Sequence, residues 1–549
     1  MPVVTNDNET QDILSLAESL FGSTERKQFE NNWDELADYL LPMQSGIFNT
    51  DVGTPGEKKT TKIFDITGIQ ANSDLAATFH STLTNPATRW SNIEHEDPEL
   101  AEDDESRAWL EDSRNRMHKA FSQSNFDVEV ASNYQMFTSL GTMSLQHDAL
   151  PLKADGTFGG FFFKAWHLSK VAFMENQLGK VDNIFRKFRF TKKQAIQRWG
   201  KDTPKVIMES TKPTEEFEIL HVIRPNANAG DAGTLILPIK SMPFESLYVL
   251  TKTQEIVERG GYMEFPNHVT RWSLMPGEKY GRGPGHLAIP DVRTLNRMVE
   301  LGLTAIARGI APPLFSERRN ILSSLNLKPN GLSIVKDVDK IKEFVTQARS
   351  DLYQFSKEDY KNSIRSAFFL DKLLLPPREE VGEMTAFEIA RRIEQTQRVL
   401  GPTFGRLNQE FLQPLVLRSF KMMLRGGAFA EPPPLIKERG LNIEVKFVNA
   451  LARSQQIEEV SAINQWVQIL AGLGQLEQIG SSAGDLLDID AAGETSARIL
   501  GVPEDVIADR KVRDQIREDR AQLEQQQLES QLNLEAADAQ SKVPNEQPQ

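Results

Sequence analysis

From Phe158 to about Arg271 the chain changes period. Short runs rich in β-branched and aromatic residues (Phe161 to Trp166, Phe217 to Ile223, Leu235 to Ile239, Leu247 to Leu250) are separated by Gly, Pro and Asn, the punctuation of strands in a sheet. One short helix is expected near Thr191 to Trp199. On both sides of this block the apolar residues recur every three or four positions, the spacing of helices. The partition predicts an α+β chain, predominantly helical, with a strand-rich part of about 158–275 inside it.

The flanking segments can be followed element by element. Residues 11 to 41 read as helical, with Phe29, Trp33, Leu36 and Leu40 on one stripe that must face a core. Ile66 to Leu83 is a second helical stretch, and the acidic run Glu94 to Glu105 leads into a third that carries Trp109, Leu110, Met117 and Phe121. After the turn Gly281-Arg282-Gly283-Pro284-Gly285, Pro290-Asp291 suits a helix start, and Val292, Leu295, Val299, Leu303 and Ile306 follow at helical spacing. About 19 residues make a rod of roughly 28 Å, which Pro312-Pro313 ends. Leu314 to Val345 reads as a compact insertion, and Asp351 to Leu373 as a helix that returns from it. Pro376 to Glu383 lacks apolar residues to bury and is expected to be an exposed loop. Thr385-Ala386-Phe387-Glu388 has capping-box spacing and opens a long helix that reaches Leu424, with kinks expected at Pro402 and Pro414. A strand (Ile443 to Val448) and several helices occupy 441–509. A charged Gln/Glu-rich helix without a sustained apolar seam covers 510–540, and the last residues, with two prolines and no packing face, are expected to be disordered.

Composition narrows the function classes. A length of 549 residues suggests about three or four domains. With 39% hydrophobic and 26% charged residues, a soluble folded chain is expected. The absence of cysteine closes thiol chemistry, Cys-based zinc sites and iron-sulfur clusters. The polar, acidic N-terminus does not read as a secretory signal, and no run of about 18 apolar residues predicts a membrane span. A formal net charge of -14 argues against gripping nucleic acid over the whole surface.

Catalytic motifs are tested and set aside. No G-x-x-x-x-G-K-[ST] loop is present. In Gly281 to Gly285, Pro284 removes an amide and the third glycine of a dinucleotide loop is missing. Gly480-Ser481-Ser482-Ala483-Gly484 lacks the preceding strand of a nucleophile elbow. His95-Glu96 has no second histidine four residues on, and Asp485 to Glu494 lacks calcium ligands at Ala492 and Ile499. No catalytic, metal or cofactor-binding residue is therefore assigned, and no cofactor is expected. The strongest charge signal is Phe185 to Lys201, where Arg186, Lys187, Arg189, Lys192 and Lys193 interleave with aromatic residues. It admits two readings: a platform that stacks single-stranded nucleic acid, or a half-buried strand with aromatics inward and bases outward or against an acidic neighbouring subunit.

Several short segments recur in an order that points to a family. They are Trp33 to Pro42, Phe64-Asp65-Ile66-Thr67-Gly68 with Leu75-Ala76-Ala77, Leu83 to Trp90 and Ser124-Asn125-Phe126. More specific are Tyr280-Gly281-Arg282-Gly283-Pro284 continuing through Leu287 to Val292 and Leu295-Asn296 to Pro312-Pro313-Leu314. Met384 to Glu388 with Leu400-Gly401-Pro402, Arg406-Leu407, Glu410 and Pro414-Leu415 complete the set. With these the chain resembles the head-to-tail connector, or portal, proteins of short-tailed (podovirus) tailed bacteriophages.

The resemblance implies a portal fold of wing, stem, clip and crown, assembled as a ring, typically of twelve subunits, around an axial channel at one capsid vertex of the virion. It implies a conduit, not an enzyme, through which double-stranded viral DNA is packaged and later ejected, assembled in the host cytoplasm. The implied partners are further copies of the chain, the terminase, tail or adaptor proteins, and the major capsid and scaffolding proteins. The implied division is wing 1–285, first stem helix 286–310, clip 311–350, second stem helix 351–372, tunnel loop 373–384, long kinked wing helix 385–440, crown 441–509 and C-terminal barrel or tail 510–549. By the same resemblance Pro376, Pro377, Arg378, Glu379 and Glu380 face DNA. Arg318, Arg319, Lys328, Lys336, Lys340 and Lys342 of the clip meet the terminase and then the tail. Twelve copies would carry roughly -168, which would repel duplex phosphate if the acidic residues line the bore. The competing readings are a metal-dependent nucleic-acid-processing enzyme using dispersed carboxylates, marked by magnesium-dependent cleavage, and a non-portal structural or scaffolding protein, marked by assembly without an axial hole.

Overall fold

The computed structural model describes residues 7–44, 62–97, 103–154, 156–230, 237–310, 350–373, 401–447, 489–500 and 510–541, with a few short stretches and isolated positions between them. The chain divides into two units, the first made of residues 1–96 and 109–449, the second of 97–108 and 450–549. In chain order the helices named below are α1 (Asp7–Gly22), α2 (Thr24–Leu40), α3 (Thr67–Leu83), α4 (Asp104–Ser122), α5 (Phe126–Leu140), α6 (Lys192–Trp199), α7 (Pro284–Ile310), α8 (Ser350–Ala367), α9 (Gln413–Arg425), α10 (Pro434–Arg439), α11 (Ile489–Leu500) and α12 (Arg510–Ser541). The strands are β1 (Ser91–His95), β2 (Thr142–Ala149), β3 (Phe161–Ala165), β4 (Val171–Glu175), β5 (Val181–Thr191), β6 (Glu216–Pro225), β7 (Phe244–Leu250), β8 (Glu255–Tyr262), β9 (Asn267–Arg271), β10 (Leu314–Phe315), β11 (Lys342–Glu343) and β12 (Ile443–Phe447).

In the first unit, β4 to β8 form an antiparallel five-stranded meander, and β2 sits between β3 and β9 in a separate three-stranded sheet. Alternation along the meander feeds a core on each face. Phe185, Leu220, Val222, Leu247 and Val249 pack with Ile13 and Ala17 of α1. Phe217, Ile219, Tyr248 and Leu250 pack with Ala195 and Trp199 of α6 and with Ile207. The stripe Phe29, Trp33, Leu36 and Leu40 of α2 is buried as its spacing predicts, and the Trp33 indole N–H donates to the Leu140 carbonyl at the end of α5 (3.1 Å).

Several boundaries differ from the sequence reading, each for a local reason. The helical stretch 11–41 is two helices, because Ser23 adopts an extended backbone and its hydroxyl accepts the Arg26 amide, as an N-cap does. The rod starts at Pro284, not at Pro290 or 286. Pro284 is a suitable first helical residue, whose missing N–H would have had no partner, and Pro290 is carried inside the helix. The returning helix stops at Ala367, where Phe369 takes a positive φ of 57°, before a short turn of helix at Leu370–Leu373. Ile239 belongs to a 3-10 turn (Ile239–Ser241), not a strand.

In the long helix the distortion is a π-turn at Asn408–Leu412, directly before Pro414. Pro414 has no N–H for the Glu410 carbonyl, so the preceding turn widens. The Glu410 side chain accepts the backbone N–H of Arg271 (2.9 Å) and its guanidinium (2.7 Å), which ties the helix to β9. Strands β1 and β2 precede the expected strand-rich block. β12, at the start of the segment expected to be crown, pairs with β1 in the first unit. The second unit contains α11 and α12, joined by Arg517, which donates twice to Asp490 (2.7 and 2.6 Å). Among the described residues no helix is long and apolar enough to cross a membrane.

Candidate functional site

Within the first unit α7 packs on α8. Val292, Leu295 and Val299 of α7 and Ile364 of α8 are buried, with Phe368 just beyond, and the Ser363 hydroxyl donates to Asp291 (2.6 Å). Further along, α7 has no charge from Leu301 to Ala307, yet Leu301, Leu303 and Ile306 are 51%, 54% and 58% exposed. A helix that is apolar around its circumference is normally covered, and among the described residues this end of the rod has no such cover. Its charge is close to balanced: Arg293, Arg297 and Arg308 stand against Asp291 and Glu300 on α7, and Lys357, Lys361 and Arg365 against Asp351, Glu358 and Asp359 on α8.

The root of the rod explains the Gly281 to Gly285 motif, which spacing alone did not. Gly141 ends α5 in the left-handed region with φ 76°, and its carbonyl accepts the Trp272 amide (2.9 Å). Gly281 donates to the Thr142 hydroxyl (2.9 Å). A Cβ on Gly281 would lie 2.9 Å from the Arg271 Cβ, and one on Gly285 would lie 2.9 Å from a Leu40 methyl and overlap the Ser139 carbonyl. The three glycines let the entry to α7 run backbone against backbone along the α5–β2 junction. Gly141→Ala would place a Cβ 2.5 Å from the Gly281 carbonyl. Together with the positive φ this is expected to cost roughly 3 kcal/mol or more, read as a lowered urea midpoint of the unassembled chain; an unchanged midpoint would mean the junction is loose.

The basic and aromatic segment lies on β5, an interior strand of the meander, and at the start of α6. Its rings are turned into the protein. Phe185 is buried against α1, while Phe188 packs edge-on to Phe190 and Tyr248. Several of its cations are engaged. Arg189 pairs with Glu216 (3.8 Å), the Lys192 ammonium donates to the Met208 and Ser210 carbonyls (2.6 and 2.7 Å), and Lys187 lies over the Phe21 ring. Lys193 is exposed. This is the geometry of a half-buried strand, with no row of open rings for bases to stack on. The loop Pro376, Pro377, Arg378, Glu379 and Glu380 and the clip residues Arg318, Arg319, Lys328 and Lys340 lie outside the described residues. Lys336 is exposed, and Lys342 is on β11, paired with β10.

A set of buried histidines was not anticipated. The His147 and His268 rings are 3.4 Å apart nitrogen to nitrogen, and both are buried. His221 bonds the Ser246 hydroxyl (2.9 Å) and stacks on Tyr248. Desolvation, with the nearby Arg418, pushes His268 down to about 3 and His147 well below the usual imidazole value. Desolvation, with Arg186 and Arg198, does the same to His221.

A family model described as bacteriophage head to tail connecting protein matches residues 10–507. The chain belongs to that family. Two curated relatives of this connector-family chain are a "Probable portal protein" of Bordetella phage BPP-1 and a "Portal protein" of Salmonella phage epsilon15. The first is 28% identical over 534 residues, covering 95% of this chain and 93% of the relative. The second is 27% identical over 512 residues, covering 90% and 89%. Among solved structures, a chain of the virion of a native gene transfer agent particle aligns over 83% of the connector and 99% of its own length, at 9% identity and a TM-score of 0.35. That score is too low to establish a common fold.

Proposed function

We propose that this connector is a portal protein: a ring, of twelve subunits, at one capsid vertex, serving as the conduit for packaging and ejecting double-stranded DNA. The observation that carries the reading is the exposed apolar end of α7, uncovered among the described residues and held on a junction built from backbone contacts. In a ring each subunit supplies the cover its neighbour lacks. The family membership and the names of the two portal relatives support the same reading. In this proposal α7 and α8 are the stem, and 311–350, with Arg318, Arg319, Lys328, Lys336, Lys340 and Lys342, is the clip that meets the terminase and then the tail. The near-neutral charge of α7 and α8 means that an electronegative bore must draw on other segments. Glu524, Glu529, Glu535 and Asp538, which lie on the part of α12 without Lys or Arg, are one such source.

Native mass measurement of the purified chain tests the ring: a single closed oligomer is expected, and a chain that stays monomeric alone and with capsid components would overturn it. The loop 373–384 is assigned to the bore. Replacing Arg378, Glu379 and Glu380 with Ala is expected to change the length of DNA packaged or retained while the ring still forms. Unchanged packaged length would remove the loop from the mechanism.

A further inference from the structure

A cavity of about 530 Å³ opens between α1, α2 and the meander, lined by Phe21, Phe48, Trp166, His167, Arg186 and Lys187 among others. Its charged lining is mostly cationic: Lys170, Arg186, Lys187 and Arg189 outnumber the carboxylates Glu30 and Glu218. The Arg186 guanidinium is held between the rings of Trp166 and Phe188, 4.7 Å from each centroid. Among the described residues it has no hydrogen bond or carboxylate partner, and burial lowers its pKa to about 10. The buried Trp166 indole N–H has no partner among the described residues. His167 Nδ1 accepts the Ser169 amide (3.3 Å), which places the ring proton on Nε2, and that nitrogen is also buried without a partner among the described residues. Glu30, a carboxylate on the same wall, is taken by Arg26 (2.8 Å).

Buried donors are normally satisfied, and a guanidinium fixed between two rings leaves its N–H edge for a planar acceptor. The ring faces are already covered by the guanidinium, and Trp166 is 3% exposed, so a base has no platform here. We propose that this cavity is an oxyanion site. Two sources offer that chemistry: a carboxylate side chain reaching in from a neighbouring copy, or a free phosphate. The first source rests on the ring reading; the site itself does not.

The test is calorimetric titration of pyrophosphate into the unassembled full-length chain and, separately, into the assembled ring. Binding to the unassembled chain but not to the ring would assign the site to a neighbour's carboxylate, and equal binding to both would assign it to soluble phosphate. No binding to either at millimolar concentration would overturn the proposal. Arg186→Gln is expected to weaken binding to the unassembled chain by tenfold or more. Trp166→Phe removes a donor that has no partner among the described residues, so it is expected to weaken binding several-fold without lowering the thermal midpoint. Full affinity in both variants would likewise overturn the proposal. If no ring forms, the titration of the unassembled chain still reports on the site, so the two readings fail separately.

Discussion

The Leu303→Lys, Ile306→Lys double variant is expected to purify as a folded chain that does not close into a ring. Both side chains are more than half exposed in the subunit, so their replacement changes its own stability by about 0.5 kcal/mol or less each. The cation also suits the C-terminal end of a helix. In an assembly the balance reverses. Each interface loses two apolar side chains, whose remaining exposed half is worth about 1 kcal/mol apiece on burial, and it acquires ammonium groups that must be desolvated without partners. Repetition at every interface of a closed ring leaves no intact contact from which to build. The measurement is native mass spectrometry beside a urea melt of the same sample. A ring of normal size would show that this end of α7 is not a subunit contact.

Mild acid is expected to unfold the first unit well above the pH at which ordinary carboxylates titrate. His147, His221 and His268 are buried and neutral, with folded pKa values below the unfolded value of about 6.5. Below about pH 6.5 the unfolded chain therefore binds protons that the folded chain does not. The stability these groups support is complete above that pH and is lost as the pH falls, down to about 3 for His268. Each contributes a slope of about 1.4 kcal/mol per pH unit, so the three together give roughly 4 kcal/mol per unit. Between pH 7 and pH 5 that amounts to about 6 kcal/mol, against a typical total of 5–15. The check is the urea midpoint of the unassembled chain at several pH values. His221→Gln, which keeps a polar group near Ser246, is expected to reduce the slope by about 1.4 kcal/mol per pH unit. A midpoint that is flat from pH 7 to pH 5 would contradict the account.

What was legible in the sequence was what depends on local period. The α2 stripe, the strand character of 217–223 and 247–250 and the α12 helix follow from spacing, because each buries, or fails to bury, one regular face. β2 was missed although Met143 and Leu145 alternate with Thr142, Ser144 and Gln146: two apolar residues directly after α5 are a short signal, and the polar side, which alternation would place in solvent, is buried as well. The start of α7 was displaced because Pro290 is as plausible a first residue as Pro284, and only the Gly281–Gly285 contacts with residues 139–142 separate them. The histidine cluster had no signal, since His147, His221 and His268 lie on different strands and meet other buried groups only in the fold. The cavity around Arg186 was half legible. The alternation of bases and rings was plain, but which side the rings face is a property of the sheet.

The central claim is most directly tested by one view of the purified assembly down its symmetry axis, by cryo-electron microscopy. The account predicts twelve copies closed around a bore wide enough for a double helix, with α7 of each subunit covered by its neighbour. An open or plugged assembly, a strongly cationic bore, or an α7 end still exposed to solvent would contradict it.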